Sequence, residues 1–158
     1  MRRGFVSAAS LLAVLTLAPP AASAEETGAK VVGAALVKAL KTGDLDAVVE
    51  CYAPDAVLWL PDAAEARGAK AIREAYATLL SGSTVTDLIL SNTVYETSQN
   101  LSVGWGNFAL TLQAKSGGTP VVLRGRFTEI AKRIKGRWLY AADQASVDPP
   151  PPPPAAKP

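Results

Sequence analysis

Asp143 is the carboxylate whose sequence surroundings could make it reactive. Its neighbours at two-residue spacing, Leu139, Ala141 and Ala145, are all apolar, so in an extended strand it shares its face with nothing polar. A carboxylate on such a face is costly to bury unless it is paired or neutral. Buried and unpaired, it would have a raised pKa suited to a general acid or base. The preceding segment alternates Arg124, Arg126, Thr128 and Ile130 on one face. Other chemistries are removed by absence. The chain has no histidine, which excludes Ser-His-Asp, Cys-His and histidine-based zinc sites. One cysteine, Cys51, cannot form an intramolecular disulfide. With Val48, Val49 and Tyr52 around it and nothing basic beside it, Cys51 is expected to be a buried, unreactive thiol. No metal and no cofactor are expected.

A chain of 158 residues accommodates one domain, and 49% hydrophobic content supplies a sizeable core. Residues 1–24 read separately, as a secretory signal. Arg2 and Arg3 precede an apolar run from Phe5 to Ala18, and Ala22-Ser23-Ala24 offers a small-residue cleavage site before Glu25. The run is short for a membrane span, so a soluble mature chain outside the cytoplasm, in the periplasm or beyond, is expected, with no stable membrane insertion. Cleavage would remove two of sixteen basic residues and leave fourteen charges of each sign. A neutral chain gives no electrostatic reason to bind nucleic acid. Arg124, Arg126, Lys132, Arg133, Lys135 and Arg137 do cluster, as either a solvated hairpin or an anion-binding feature. Asp148 and six prolines open a tail over 148–158 that can join neither sheet nor helix and is expected to be an extended, disordered spacer.

The domain between, over 25–147, begins with helical periodicity. Val32, Leu36, Ala39 and Leu40 predict a helix over 25–42 that Gly43 ends, and Asp44 caps a second helix running to Tyr52. Ala53-Pro54-Asp55 is expected to stop it before a strand from Ala56 to Leu60. A third helix covers Ala69 to Leu80. From Thr84 onward, four segments rich in β-branched and aromatic residues, separated by turn signals, predict an antiparallel meander. Two of them exceed ordinary strand length and must bend, with Gly104, Gly106 and Gly125 as bend points. Helices followed by a meander give an α+β class.

Four motifs carry a resemblance. Leu40 to Val49, with its Gly43-Asp44 corner, leads to Tyr52-Ala53-Pro54-Asp55-Ala56. Arg67-Gly68 enters the third helix. Gly125-Arg126-Phe127-Thr128 and Gly136-Arg137-Trp138 precede Asp143-Gln144-Ala145-Ser146. In this order, over about residues 28–146, they resemble the SnoaL-like, ketosteroid isomerase-like branch of the nuclear transport factor 2-like superfamily. The resemblance implies a cone: three N-terminal helices on a strongly curved, mostly antiparallel sheet, commonly dimerised through the sheet's open face. Apolar residues on both faces of the long strands, such as Leu88 beside Ile89, also point to a homodimer.

Aligned on these motifs, the isomerase's tyrosine, base and oxyanion-holding acid fall at Leu36, Leu60 and approximately Thr128, so its standard apparatus is lost. Gln144 stands where relatives often carry histidine. The alignment turns Arg126, Thr128 and Asp143 into the cone, where Arg126 and Asp143 form an ion pair or a polar anchor. Tyr52, Trp59, Tyr76, Trp105 and Phe108 are its expected walls. Three functions remain open. They are binding of a small apolar molecule, catalysis of the cyclase, isomerase or dehydratase type through Asp143, and non-catalytic association.

Overall fold

The computed structural model describes residues 28–149; the expected signal segment and the run from Pro150 onward lie outside the described residues. Helix α1 (Ala29–Thr42) buries Val32, Leu36, Ala39 and Leu40 on one face, as their three- and four-residue spacing requires. Its first free amide, on Ala29, donates to the buried Ser102 Oγ at 2.9 Å. Gly43 ends it in the left-handed conformation at φ 68°. Asp44 then accepts from the amides of Asp46 and Ala47 at 3.1 and 3.0 Å, a cap worth about 1 kcal/mol, and α2 (Leu45–Glu50) follows.

The second helix is shorter than its sequence predicts. It stops at Glu50, and strand β1 (Tyr52–Trp59) runs through the Ala53-Pro54-Asp55 segment expected to be a break. Pro54 is tolerated because the pairing register of β1 slips between Tyr52 and Val57, where a missing N–H costs no regular ladder bond. A two-residue strand, β2 (Ala66–Arg67), pairs with β1 and leads into α3 (Gly68–Leu79), which buries Ile72 and Tyr76.

Four long strands complete the sheet: β3 (Ser83–Thr97), β4 (Leu101–Ala114), β5 (Val121–Ile134) and β6 (Arg137–Val147). The order across the sheet is β2-β1-β6-β5-β4-β3, antiparallel throughout except where β6 lies parallel to β1. Irregularities at Val85/Asp87, Ser91/Val94 and Ile130/Ala131 let the strands curl, as their length demands. The result is an open, curved α+β cone. Its core joins Leu40, Val48, Leu58, Ile72 and Tyr140. On the outer face Ile89, Val94, Trp105 and Val122 are exposed.

Candidate functional site

The inner face of the last hairpin decides the site. Residues directly opposite in an antiparallel pair share a face, and the residue opposite Asp143 is Glu129. Both are buried. On β5, therefore, Phe127, Glu129 and Ala131 point inward, while Arg124, Arg126 and Thr128 are exposed. This corrects the expectation that Arg126 and Thr128 face the cone. Arg126 sits opposite Ser146 and pairs with the exposed Asp148 at 3.5 Å, not with Asp143. The whole basic cluster of this hairpin is solvent-facing.

Strict alternation on β6 also fails at one point. Ile130 opposes Ala142 and Ala131 opposes Tyr140, so Ala141 is an extra residue that shifts the phase of the strand. Tyr140, not Leu139 or Ala141, therefore joins Asp143 on the inner face, fully buried.

Three tyrosines hold the two carboxyls. Tyr52 donates to Asp143 Oδ2 at 2.6 Å, and the hydroxyls of Tyr52 and Tyr76 lie 2.7 Å apart. Tyr140 donates to Glu129 Oε2. Glu129 Oε1 is buried without a hydrogen-bond partner. Its space is kept by two glycines. A Cβ on Gly104 would come within 2.8 Å of Oε1, and one on Gly33 within 3.6 Å of it and 3.0 Å of the Tyr140 hydroxyl. Burial pushes Glu129 up to about 8, aided by the nearby Asp143 charge and opposed by the Tyr140 bond. Burial likewise pushes Asp143 up to about 6, against the Tyr52 bond. At neutral pH one carboxyl is thus an acid and its neighbour a carboxylate. Burial also raises all three tyrosine hydroxyls, which stay protonated.

These groups close one side of a cavity of about 340 Å³ between the helices and the sheet. Its walls are apolar: Leu36, Leu40, Leu60, Leu79, Leu88 and Leu110 among others, with Phe108 and Phe127. Exposed Asp62 and Ala63, in the turn after β1, mark the mouth. Of the expected walls, Tyr76 and Phe108 line the cavity, and Tyr52 stands behind Asp143. Trp59 and Trp105 do not line it. Each is 39% exposed, the Trp59 indole donating to Glu65 at 3.1 Å and Trp105 lying opposite exposed Thr128. Leu36 and Leu60, where the resemblance put a lost tyrosine and a lost base, are both wall residues. Gln144 opposes Thr128 on the outer face.

Glu129 and Tyr140 are the site residues that the sequence reading missed. The signal for Glu129 was present, since its neighbours at two-residue spacing, Phe127 and Ala131, are as apolar as those of Asp143. Tyr140 was hidden by the bulge. Cys51 is buried as expected, its thiol donating to the Ala47 carbonyl at 3.4 Å, and burial with the adjacent Glu50 raises it to about 11.

Solved structures share this fold. A proposed calcium/calmodulin-dependent protein kinase II association domain from Xanthomonas campestris is 22% identical, with a TM-score of 0.69 over 86% of this chain and 99% of its own. A ketosteroid isomerase-like protein from Erwinia carotovora atroseptica is 21% identical, with a TM-score of 0.66 over 77% and 94%. A proposed scytalone dehydratase from Novosphingobium aromaticivorans is 10% identical, with a TM-score of 0.68 over 75% and 80%. At these identities the likeness shows the fold alone. No curated protein sequence matches the chain. The SnoaL-like domain model matches residues 34–141, more than half of the chain, and the protein belongs to that family.

Proposed function

We propose that this is an exported protein that binds a small, mostly apolar molecule in the cone and fixes its one polar group with Glu129 and Asp143. The observation that carries this reading is the cavity itself. About 340 Å³ of space, apolar along its length and polar where the two carboxyls stand, is the usual layout of a small-molecule site. Native mass spectrometry of protein purified from its own compartment tests it. The expected result is a mass increment of one small molecule, lost when Ala145, a cavity-wall residue, is enlarged in Ala145→Phe. A ligand-free spectrum, with no thermal shift from any apolar additive, would count against it.

A second reading is favoured by the split pair. With Glu129 neutral and Asp143 ionised, one group could donate a proton while the other removes one, the arrangement that proton-transfer enzymes need. A fold shared with a ketosteroid isomerase-like protein and a proposed scytalone dehydratase is compatible with this. Turnover of the recovered molecule by the parent protein, abolished in Asp143→Asn, is the result expected of an enzyme, and binding without turnover is that of a carrier.

We also propose that two copies associate through the outer face of the sheet. Ile89 is 55% and Val122 47% exposed there, with Val94 and Trp105 beside them, an apolar surface that a second copy would cover. Light scattering at micromolar concentration is expected to give a dimer mass, and Ile89→Asp with Trp105→Glu a monomer with the fold intact. A monomeric parent protein would end this proposal.

A further inference from the structure

We propose that the molecule bound in the cone is a lipophilic amine, held as its ammonium ion between Glu129 and Asp143. This rests on the binding reading above and names the chemical class of the ligand.

Charge is the first argument. Three lining residues are acidic, Asp62, Glu129 and Asp143, and none of the lining residues is lysine or arginine. The chain has no histidine to supply a cation instead. Buried carboxyls are ordinarily paired with a basic group or bound to a metal. Among the described residues no basic side chain lines the cavity, so a ligand that brings its own cation would supply the partner. An anionic ligand would meet the Asp143 carboxylate at this end and Asp62 at the mouth, with no cation to offset either.

Hydrogen-bond inventory is the second. A tyrosine hydroxyl has one proton to give. Tyr140 gives its proton to Glu129 and Tyr52 gives its own to Asp143. With Tyr52 committed, the 2.7 Å contact between Tyr52 and Tyr76 consumes the proton of Tyr76. The hydroxyls facing this end therefore offer a ligand no donor, while Glu129 Oε1 is buried with no partner at all. Beyond the carboxyl proton that Glu129 holds while neutral, and would give up to a bound cation, the hydroxyls and carboxyls of this end hold no free donor and have acceptors to spare. An ammonium group brings up to three N–H donors together with the missing positive charge. Phe108 and Phe127 are also in the lining, and aromatic rings, unlike a cationic side chain, tolerate a cation nearby.

The test compares three probes of one size and shape: phenylbutylamine, phenylbutanol and phenylbutyrate, titrated calorimetrically into the full mature chain at neutral pH. The amine is expected to bind at least about tenfold more tightly than the alcohol, a difference of about 1.4 kcal/mol, and the carboxylate not to bind. In the Glu129→Gln, Asp143→Asn double variant, with folding verified by its melt, the amine is expected to bind no better than the alcohol. Equal or tighter binding of the alcohol or the carboxylate by the parent protein overturns the amine assignment and leaves the binding reading standing. An amine preference that survives in the double variant overturns the assignment to this pair. If none of the three binds, both the amine assignment and the binding reading fail.

Discussion

At about pH 8.5 the Glu129→Gln, Asp143→Asn double variant is expected to unfold at a higher temperature than the parent protein, and the gap is expected to narrow steadily until it is small at about pH 4. The sign follows from proton counting. Both carboxyls are raised in the folded chain, Glu129 from 4.5 to about 8 and Asp143 from 3.8 to about 6. Between the unfolded and folded values the folded chain holds more protons than the unfolded one, so stability falls as pH rises through that window. The Glu129 shift alone accounts for on the order of 5 kcal/mol. The amides of the variant do not titrate, and they can still accept from Tyr140 and Tyr52. Thermal melts across pH for both proteins decide it. An Asp143 paired with an arginine would give the opposite pattern, with Asp143→Asn costing about 3–5 kcal/mol. A parent protein equally stable at both pH values would remove the buried pair.

Gly125→Ala is expected to cost about 3 kcal/mol or more, the upper range for forcing extra volume into packed structure. A Cβ at this position would overlap the backbone oxygen of Ser146 and stand 2.9 Å from the Phe108 ring. The first contact is with backbone of the neighbouring strand and cannot swing aside, so β5 and β6 would have to separate beside the cavity. Gly82→Ala is the control. Nothing lies within 4 Å of its added Cβ, and its cost should stay within about 0.5 kcal/mol. Denaturant melts of the two variants give the comparison, and equal midpoints would refute the close approach of the strands.

The fold was legible because local and long-range signals agree. Gly43 and Asp44 mark a helix end and a helix cap by side-chain chemistry alone, and both act as such. The turn-separated segments after Thr84 became four strands. The site was legible only in part. Asp143 and Glu129 carry the same signal, apolar neighbours at two-residue spacing, but alignment to a distant relative turns Arg126 and Thr128 inward and so hides Glu129. One residue of phase exchanges the faces of a strand, and Glu129 is the next residue along from Thr128. The bulge at Ala141 is a property of the β5–β6 pair and cannot be read from either strand. Trp59 and Trp105, expected as walls, are on the outer face, since an aromatic residue fits an outer face as well as an inner one.

The place of β6 in the sheet has a consequence for how the chain acquires its structure. The last strand enters between β1 and β5, with Asp143 beside Leu58. Helices α1 to α3 and the β3-β4 hairpin can begin from contacts close in sequence, but the middle of the sheet waits for the C-terminal strand to emerge. Closing so large a loop before any contact rewards it slows folding. Neither the apolar floor nor the carboxyl pair exists until β6 docks, so a chain still in synthesis has no cone to bind with. For the exported protein proposed above, late closure of this kind would leave the nascent chain open enough to thread through a membrane channel until that strand is made.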